Sequence, residues 1–164
     1  MHLPVHSARR EGGGLTNTAI KTASEILLVD DNPADLDLTH EILNKSGQHL
    51  SVNTVGDGAQ AIAFLHRTGS YAGKPLPDLI VLDLNLLRAH GRDVLSEFKA
   101  NPEFARIPVV IFSSSQANSD INRSYDLGAN CYVRKPGNLF DFRNVVRSMA
   151  DFWLGSASLP QKET

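Results

Sequence analysis

Leu79-Ile80-Val81-Leu82-Asp83 is an unbroken apolar run of four residues that stops on a carboxylate. A run this short, rich in branched aliphatics and without a polar alternate, reads as a strand buried on both faces. Working outward, the same pattern recurs. Ile26 to Val29 ends in Asp30-Asp31, and Val109 to Phe112 ends in Ser113-Ser114-Ser115. Cys131 to Val133 ends in Arg134-Lys135-Pro136, and the weaker, alternating Val52 to Val55 ends in Gly56-Asp57.

Between these runs the apolar spacing changes to that of a helix. Ala34, Leu38, Ile42 and Leu43 follow Asn32-Pro33, a cap and a first-turn proline, and Gly47 is a stop. Ala59, Ile62, Ala63 and Leu65 follow the cap candidate Asp57. Val94, Leu95 and Phe98 form a short third helix closed by Asn101-Pro102. Ile121, Tyr125 and Leu127 lie in a fourth, stopped by Gly128. The longest stripe, Leu139, Phe142, Val145, Val146, Met149, Phe152 and Trp153, comes last. Five alternations of strand and helix imply an α/β fold with parallel strands and right-handed crossovers. This is a doubly wound five-stranded sheet of the flavodoxin-like kind. Residues 24–154 would form that domain, between an arm over residues 1–23 and a tail over residues 155–164.

Composition excludes several classes. The 164 residues are 41% hydrophobic and 21% charged with a formal net charge of −2, so bulk charge favours neither nucleic acid nor an anionic membrane. One cysteine, Cys131, cannot build a disulfide framework within a chain and is expected to be a small buried strand residue. Neither a membrane-length apolar run nor a secretory core is present, so a cytoplasmic location is expected.

Ligands of doubly wound sheets bind beyond the carboxyl ends of the strands. Those ends carry Asp30, Asp31, Asp83, Ser113 and Lys135. Three converging carboxylates repel one another, which a hard cation such as Mg2+ relieves. Asn85 follows Asp83 by two residues and could offer its backbone carbonyl to the same ion. A magnesium ion, a lysine and a hydroxyl together suit a phosphoryl group. A carboxylate nucleophile at a strand end could accept one as an acyl phosphate, and Asp83 is the best placed. The Asp30-Asp31 pair could otherwise be a helix cap and a solvated turn.

At these residues the chain resembles the receiver domain of two-component response regulators. The likeness rests on Ile26-Leu27-Leu28-Val29-Asp30-Asp31, Asp78-Leu79-Ile80-Val81-Leu82-Asp83, Pro108-Val109-Val110-Ile111-Phe112-Ser113 and Tyr132-Val133-Arg134-Lys135-Pro136. Steps of thirty residues from Asp83 to Ser113 and twenty-two from Ser113 to Lys135 match the family. The resemblance implies that Asp83 is the phosphoacceptor and that Asp30, Asp31 and the Asn85 carbonyl hold Mg2+. It also implies that Ser113 is the switch hydroxyl, Lys135 the phosphoryl partner and Tyr132 the aromatic switch. The Lys135–Pro136 bond would be cis. Phosphorylation would reshape the face of the fourth helix, fifth strand and fifth helix.

Asn85 and Ser115 flank the path of an attacking water and are expected to tune the lifetime of the phosphoryl group. The long segment from His66 to Pro77 and the ending Phe152-Trp153-Leu154 resemble the small regulators that partner bacterial and cyanobacterial phytochrome kinases. That likeness implies a sensor histidine kinase as phosphoryl donor and a homodimer. Phe152 and Trp153 lie about 100° apart on a helix, so one of them should face outward as a contact. In one departure from the family, Leu87 stands where proline is usual four residues after the phosphoacceptor, so that loop loses a rigid φ. Two other functions compete: a Mg2+-dependent phosphohydrolase with an aspartyl nucleophile, and a pseudo-receiver that is not phosphorylated. The hydrolase would want a second Asp where Asn85 stands. A flavin carrier would need a glycine loop where Asp30-Asp31-Asn32-Pro33 stands.

Overall fold

The computed structural model describes residues 22–162 apart from Arg88, so residues 1–21 of the expected N-terminal arm lie outside the described residues. Five strands, β1 (Ser24–Val29), β2 (Leu50–Val55), β3 (Leu79–Leu82), β4 (Val109–Ser113) and β5 (Cys131–Arg134), form one sheet in the order β2-β1-β3-β4-β5. Every pairing is parallel. Five helices connect them: α1 (Pro33–Asn44), α2 (Gly58–His66), α3 (Gly91–Ala100), α4 (Asn118–Asp126) and α5 (Leu139–Ala150). The expected α/β alternation is what folds.

Side chains alternate across a strand, and the central strands split their residues between two cores accordingly. Leu27, Val29, Ile80, Leu82, Val109 and Ile111 face Phe64 and Leu65 of α2 and Val94, Leu95 and Phe98 of α3. Their neighbours Ile26, Leu28, Leu79, Val81, Val110 and Phe112 face Ile42 and Leu43 of α1 and Phe142, Val146 and Met149 of α5. Both faces are therefore apolar, which is why the strand runs lack a polar alternate. Hydrophobic burial on two faces fixes the sheet so firmly that the strand ends can hold charge.

Local capping sets where the helices begin. Asn32 accepts from the N–H groups of Ala34 and Asp35, and Pro33 starts α1 where no N–H is needed. Asp57 accepts from Gln60 N–H at 2.8 Å and starts α2. Between α2 and β3 the long segment makes a single 3-10 turn, Gly69–Tyr71, whose Tyr71 ring packs on Phe64 at 5.2 Å.

The structure departs from expectation at four places. In α4 the buried residue is Ser124, while Tyr125 is 48% exposed. Ser124 can be buried because its hydroxyl donates to the Asp120 carbonyl at 2.8 Å, and the Tyr125 hydroxyl instead accepts the backbone N–H of Tyr132 at 3.1 Å. Cys131 is half-buried, not enclosed, because β5 is an edge strand. The regular helix stops at Ala150 and continues as a π-helical turn over Asp151–Ser156, in which Trp153 and Leu154 pack against the α1–α5 core. Finally, no peptide bond among the described residues is cis, so Lys135–Pro136 is trans. Trans is the lower-energy isomer, and in it the Lys135 N–H meets the Ser113 carbonyl at 2.8 Å.

One glycine governs the site from behind. At Gly91, the first residue of α3, an added Cβ would fall onto the Asp83 carbonyl oxygen and lie 2.5 Å from Leu84 Cα. Both are backbone atoms that cannot swing aside. Gly91→Ala is expected to cost about 1–3 kcal/mol by overpacking and to shift the chain at Asp83. A thermal melt checks this, and an unchanged midpoint would contradict it.

Candidate functional site

The strand ends share one local design. Asp30 Oδ1 accepts the N–H of Asn32 at 2.9 Å. Asp83 Oδ1 accepts the N–H of Asn85 at 3.2 Å. Ser113 Oγ accepts the N–H of Ser115 at 3.3 Å. In each case a short polar side chain bonds the backbone two residues on, which turns the chain off the strand and fixes its own rotamer. The second oxygen of each aspartate is left to face the others.

That second oxygen meets Lys135. Its Nζ donates to Asp30 Oδ2 at 2.7 Å and to Asp83 Oδ2 at 3.0 Å. A third bond runs to Asp35 Oδ2 at 3.0 Å. The Lys135 side chain is 7% exposed and those of its Asp30 and Asp83 partners are 10% and 8% exposed, so solvent screens these pairs little. Ligand-capable oxygens of Asp30, Asp31 and Asp83 lie within 4.8 Å of one another. The structure thus brings together the three carboxylates and the lysine named from the sequence. Ser113 is fully buried at the end of the adjacent strand, β4.

Electrostatics favour one more positive charge. Burial pushes the Asp30 carboxyl up to about 6, hydrogen bonding to Lys135 and Asn32 pulls against this, and the Asp83 charge adds to the rise. Burial would lower the Lys135 ammonium, but its bonds to Asp30 and Asp35 and the charge of Asp83 outweigh this and raise it. One fixed cation faces four carboxylates: Asp30, Asp31, Asp83 and Asp35. Asp30, Asp31 and Asp83 offer hard oxygen donors, the ligand type that divalent cations of the magnesium class require. The residues present fit such an ion.

A pH dependence follows. A divalent cation held by these carboxylates would need them ionised, so a proton on Asp30 would compete with it. Affinity is expected to be level above pH 7 and to fall roughly tenfold per unit below about 6, where Asp30 protonates. Titration calorimetry at a series of pH values checks this. A flat profile between pH 7 and 4.5 would remove Asp30 from the ligands.

Other expected residues occupy varied positions. Asn85 is exposed with its N–H engaged by Asp83, and Leu87 is 82% exposed. The Ser115 hydroxyl turns to Asp120 Oδ2 at 2.5 Å, toward α4. Tyr132 is half-buried against the α2–α3 core, and its hydroxyl donates to the Ser115 carbonyl at 2.9 Å. Phe152 is 56% exposed while Trp153 is half-buried against the α1–α5 core. Their rings meet edge to face at 5.2 Å. Sequence reasoning missed Asp35. Its signal was present, four residues beyond Asp31 in the first turn of a helix, but a first-turn acid is common.

Likeness to known proteins agrees with this geometry. Residues 26–147 match the family model of the response regulator receiver domain. Response regulator Rcp1 of Synechocystis sp. is 44% identical over 135 residues, which cover 82% of this chain and 92% of that protein. The crystal structure of the phosphorylated cyanobacterial phytochrome response regulator RcpA superposes with a TM-score of 0.83 at 46% identity, covering 85% of this chain and 100% of that one. The Mn2+-bound form of Rcp1 superposes with a TM-score of 0.82 at 43% identity, covering 84% of this chain and 99% of that one. The family match begins in β1 and ends in α5, so it takes in all five strands and the acidic strand ends. The chain belongs to the response regulator receiver domain family.

Proposed function

We propose that this response regulator accepts a phosphoryl group from a sensor histidine kinase onto Asp83, and that its α4-β5-α5 face changes in response. The observation that carries this reading is the placement of Asp83. Its Oδ2 lies 3.0 Å from Lys135 Nζ and its ligand-capable oxygen lies within 4.8 Å of those of Asp30 and Asp31. Asp30, Asp31, Asp83 and the Asn85 carbonyl hold Mg2+ in this reading. Bound there, the ion would neutralise charge on the phosphoryl oxygens.

The chain's own groups do the rest. Asp83 is the nucleophile: its carboxylate oxygen bonds to phosphorus as the phosphorus–nitrogen bond to the donor imidazole breaks. Lys135 supplies a positive charge fixed beside the developing dianion. Ser113 offers a hydroxyl donor, and its movement would break the bond from Ser115 N–H. The loop from Ser113 to Ala117 is also tied to β5 through Tyr132 and to α4 through Asp120. A shift of that loop therefore reaches the α4-β5-α5 face through two hydrogen bonds, with Tyr132 as the aromatic element.

The relatives named for phytochrome signalling favour a phytochrome-type kinase as the donor. The outward Phe152 ring favours a contact between two copies that Trp153 adjoins. No helix among the described residues is long and apolar enough to cross a membrane, which suits a cytoplasmic signalling protein. The phosphohydrolase reading lacks an acid two residues after Asp83, where Asn85 stands.

The test is exposure to acetyl phosphate with Mg2+, read by intact mass. Gain of one phosphoryl group supports the proposal. No adduct on a folded protein at any Mg2+ concentration would favour the pseudo-receiver, and continuous phosphate release from a phosphomonoester would favour the hydrolase. Size-exclusion chromatography of the same samples tests the homodimer.

A further inference from the structure

Asp35 lies beside the cation cluster of Asp30, Asp31 and Asp83 but is not one of its members. It sits in the first turn of α1, where a carboxylate is ordinarily a response to the helix dipole. Its side chain does more than that. Oδ2 accepts from Lys135 Nζ at 3.0 Å, between residues 100 positions apart in the chain. Asp35 is more exposed than its rivals, at 29% against 10% for Asp30 and 8% for Asp83.

An ammonium has three N–H donors. Lys135 directs one each to Asp30, Asp35 and Asp83. Two of those acceptors belong to the carboxylate cluster that could hold a metal ion, and Asp35 does not. Lys135 and a divalent cation therefore compete for the carboxylates of Asp30 and Asp83. Like charges repel, and with the Lys135 side chain only 7% exposed solvent screens that repulsion little. Asp35 is the acceptor that remains to Lys135 when the other two turn to an ion.

We propose that Asp35 is a positioning residue that anchors Lys135 to α1 and so keeps its ammonium from closing over the carboxylates a divalent cation needs. This rests on the cation-binding, phosphoryl-accepting reading of the site. Without Asp35, the lysine charge falls wholly on Asp30 and Asp83, and cation affinity drops.

The experiment measures Mn2+ binding by loss of the free-ion EPR signal, with no phosphoryl donor present. Four full-length proteins are compared: native, Asp35→Asn, Lys135→Gln and the double variant. Asp35→Asn is isosteric and on a partly exposed side chain, so the fold is retained. Its affinity is expected to be about tenfold weaker than native, the scale of one charged hydrogen bond discounted for exposure. In the Lys135→Gln background the same change should have little effect, because the residue it acts through is gone.

Equal weakening in both backgrounds would mean that Asp35 attracts the ion by its own charge, and would overturn the proposal. Unchanged affinity in Asp35→Asn would overturn it as well. Should Lys135→Gln not fold, ionic strength decides instead. A direct attraction from a partly exposed carboxylate is screened between 0.05 M and 0.5 M salt, where the Debye length shrinks from roughly 14 to 4 Å, whereas an effect through the buried lysine persists. Failure of the native protein itself to bind Mn2+ would be a different result. It would remove the reading of the site, and the anchoring role with it.

Discussion

Asp83→Asn is expected to abolish the phosphoryl adduct completely while leaving the fold intact. An amide does not attack phosphorus as a carboxylate does, so the loss is total and not partial. The substitution is isosteric. Its carbonyl oxygen can still accept the Asn85 N–H, now 3.2 Å from Asp83 Oδ1, so the loop after β3 keeps its turn. Lys135 keeps Asp30 and Asp35 as partners.

The charge change acts in a predictable direction. Burial is the main reason that the Asp30 carboxyl sits at about 6, and the Asp83 charge is a further contribution. Removing that charge lowers the Asp30 carboxyl toward its ordinary range. A carboxyl whose folded pKa exceeds the unfolded value costs stability once pH rises above the folded value. Less elevation means less cost at neutral pH, so the melting temperature of Asp83→Asn at pH 7 should be no lower than native. Intact mass after acetyl phosphate treatment reads the first effect, and calorimetry reads the second. An adduct on the variant would place the phosphoacceptor elsewhere.

The second large effect is on stability. Lys135→Met leaves Asp30 and Asp83 buried with no ammonium beside them. Breaking a buried ion pair from one side typically costs about 3–5 kcal/mol, more than any surface pair contributes. Here the loss should depend on pH. Asp30 lies at about 6 even with Lys135 helping to hold it down. Without that help it rises further, and its folded value stands well above the unfolded 3.8. The folded state then binds the proton more tightly than the unfolded one, so stability returns as pH falls through the folded pKa.

The deficit relative to native should therefore be largest near pH 8 and shrink by pH 5. Added Mg2+ should shrink it at pH 8 also, since ligand binding to the folded state alone stabilises it by mass action. Urea unfolding at the two pH values, with and without Mg2+, checks both. A deficit independent of pH would show that Lys135 contributes packing and not neutralisation.

Much of the fold was legible because it depends on patterns that are local in sequence. Residues 79–82 and 109–112 are branched and apolar without alternation, which fits a strand covered on both faces and little else. Asn32-Pro33 and Asp57 cap helices through bonds to residues within three positions. That one of the adjacent Phe152 and Trp153 turns outward was legible from their spacing; that it is Phe152 was not. Asp30, Asp31, Asp83 and Lys135 could be grouped because each ends a strand of one parallel sheet, and such strands end on one side.

What failed was set by which groups meet in space. Asp35 looks like Asp93, Asp120 and Asp141, which also sit in the first turns of helices. Among these four first-turn acids, only for Asp35 does the structure show a bond to Lys135, and α1 is the helix that shares a core with α5 on one face of the sheet. The burial of Ser124 in place of Tyr125 depends on a hydroxyl finding a carbonyl within α4 and a phenol finding a strand edge. The need for glycine at position 91 arises because α3 begins against the backbone of the β3 end.

The amino-acid order alone settled that the chain forms a parallel sheet wrapped in helices with acids and a lysine at its strand ends. Periodicity and capping act between near neighbours, and each is written in the residues that carry it. Tertiary structure alone decided how the three hydrogens of Lys135 are shared among Asp30, Asp35 and Asp83, and which loop each hydroxyl holds. The sharing of Lys135 is decided by distances between segments 52 to 105 residues apart, which exist once the two cores have closed around the sheet.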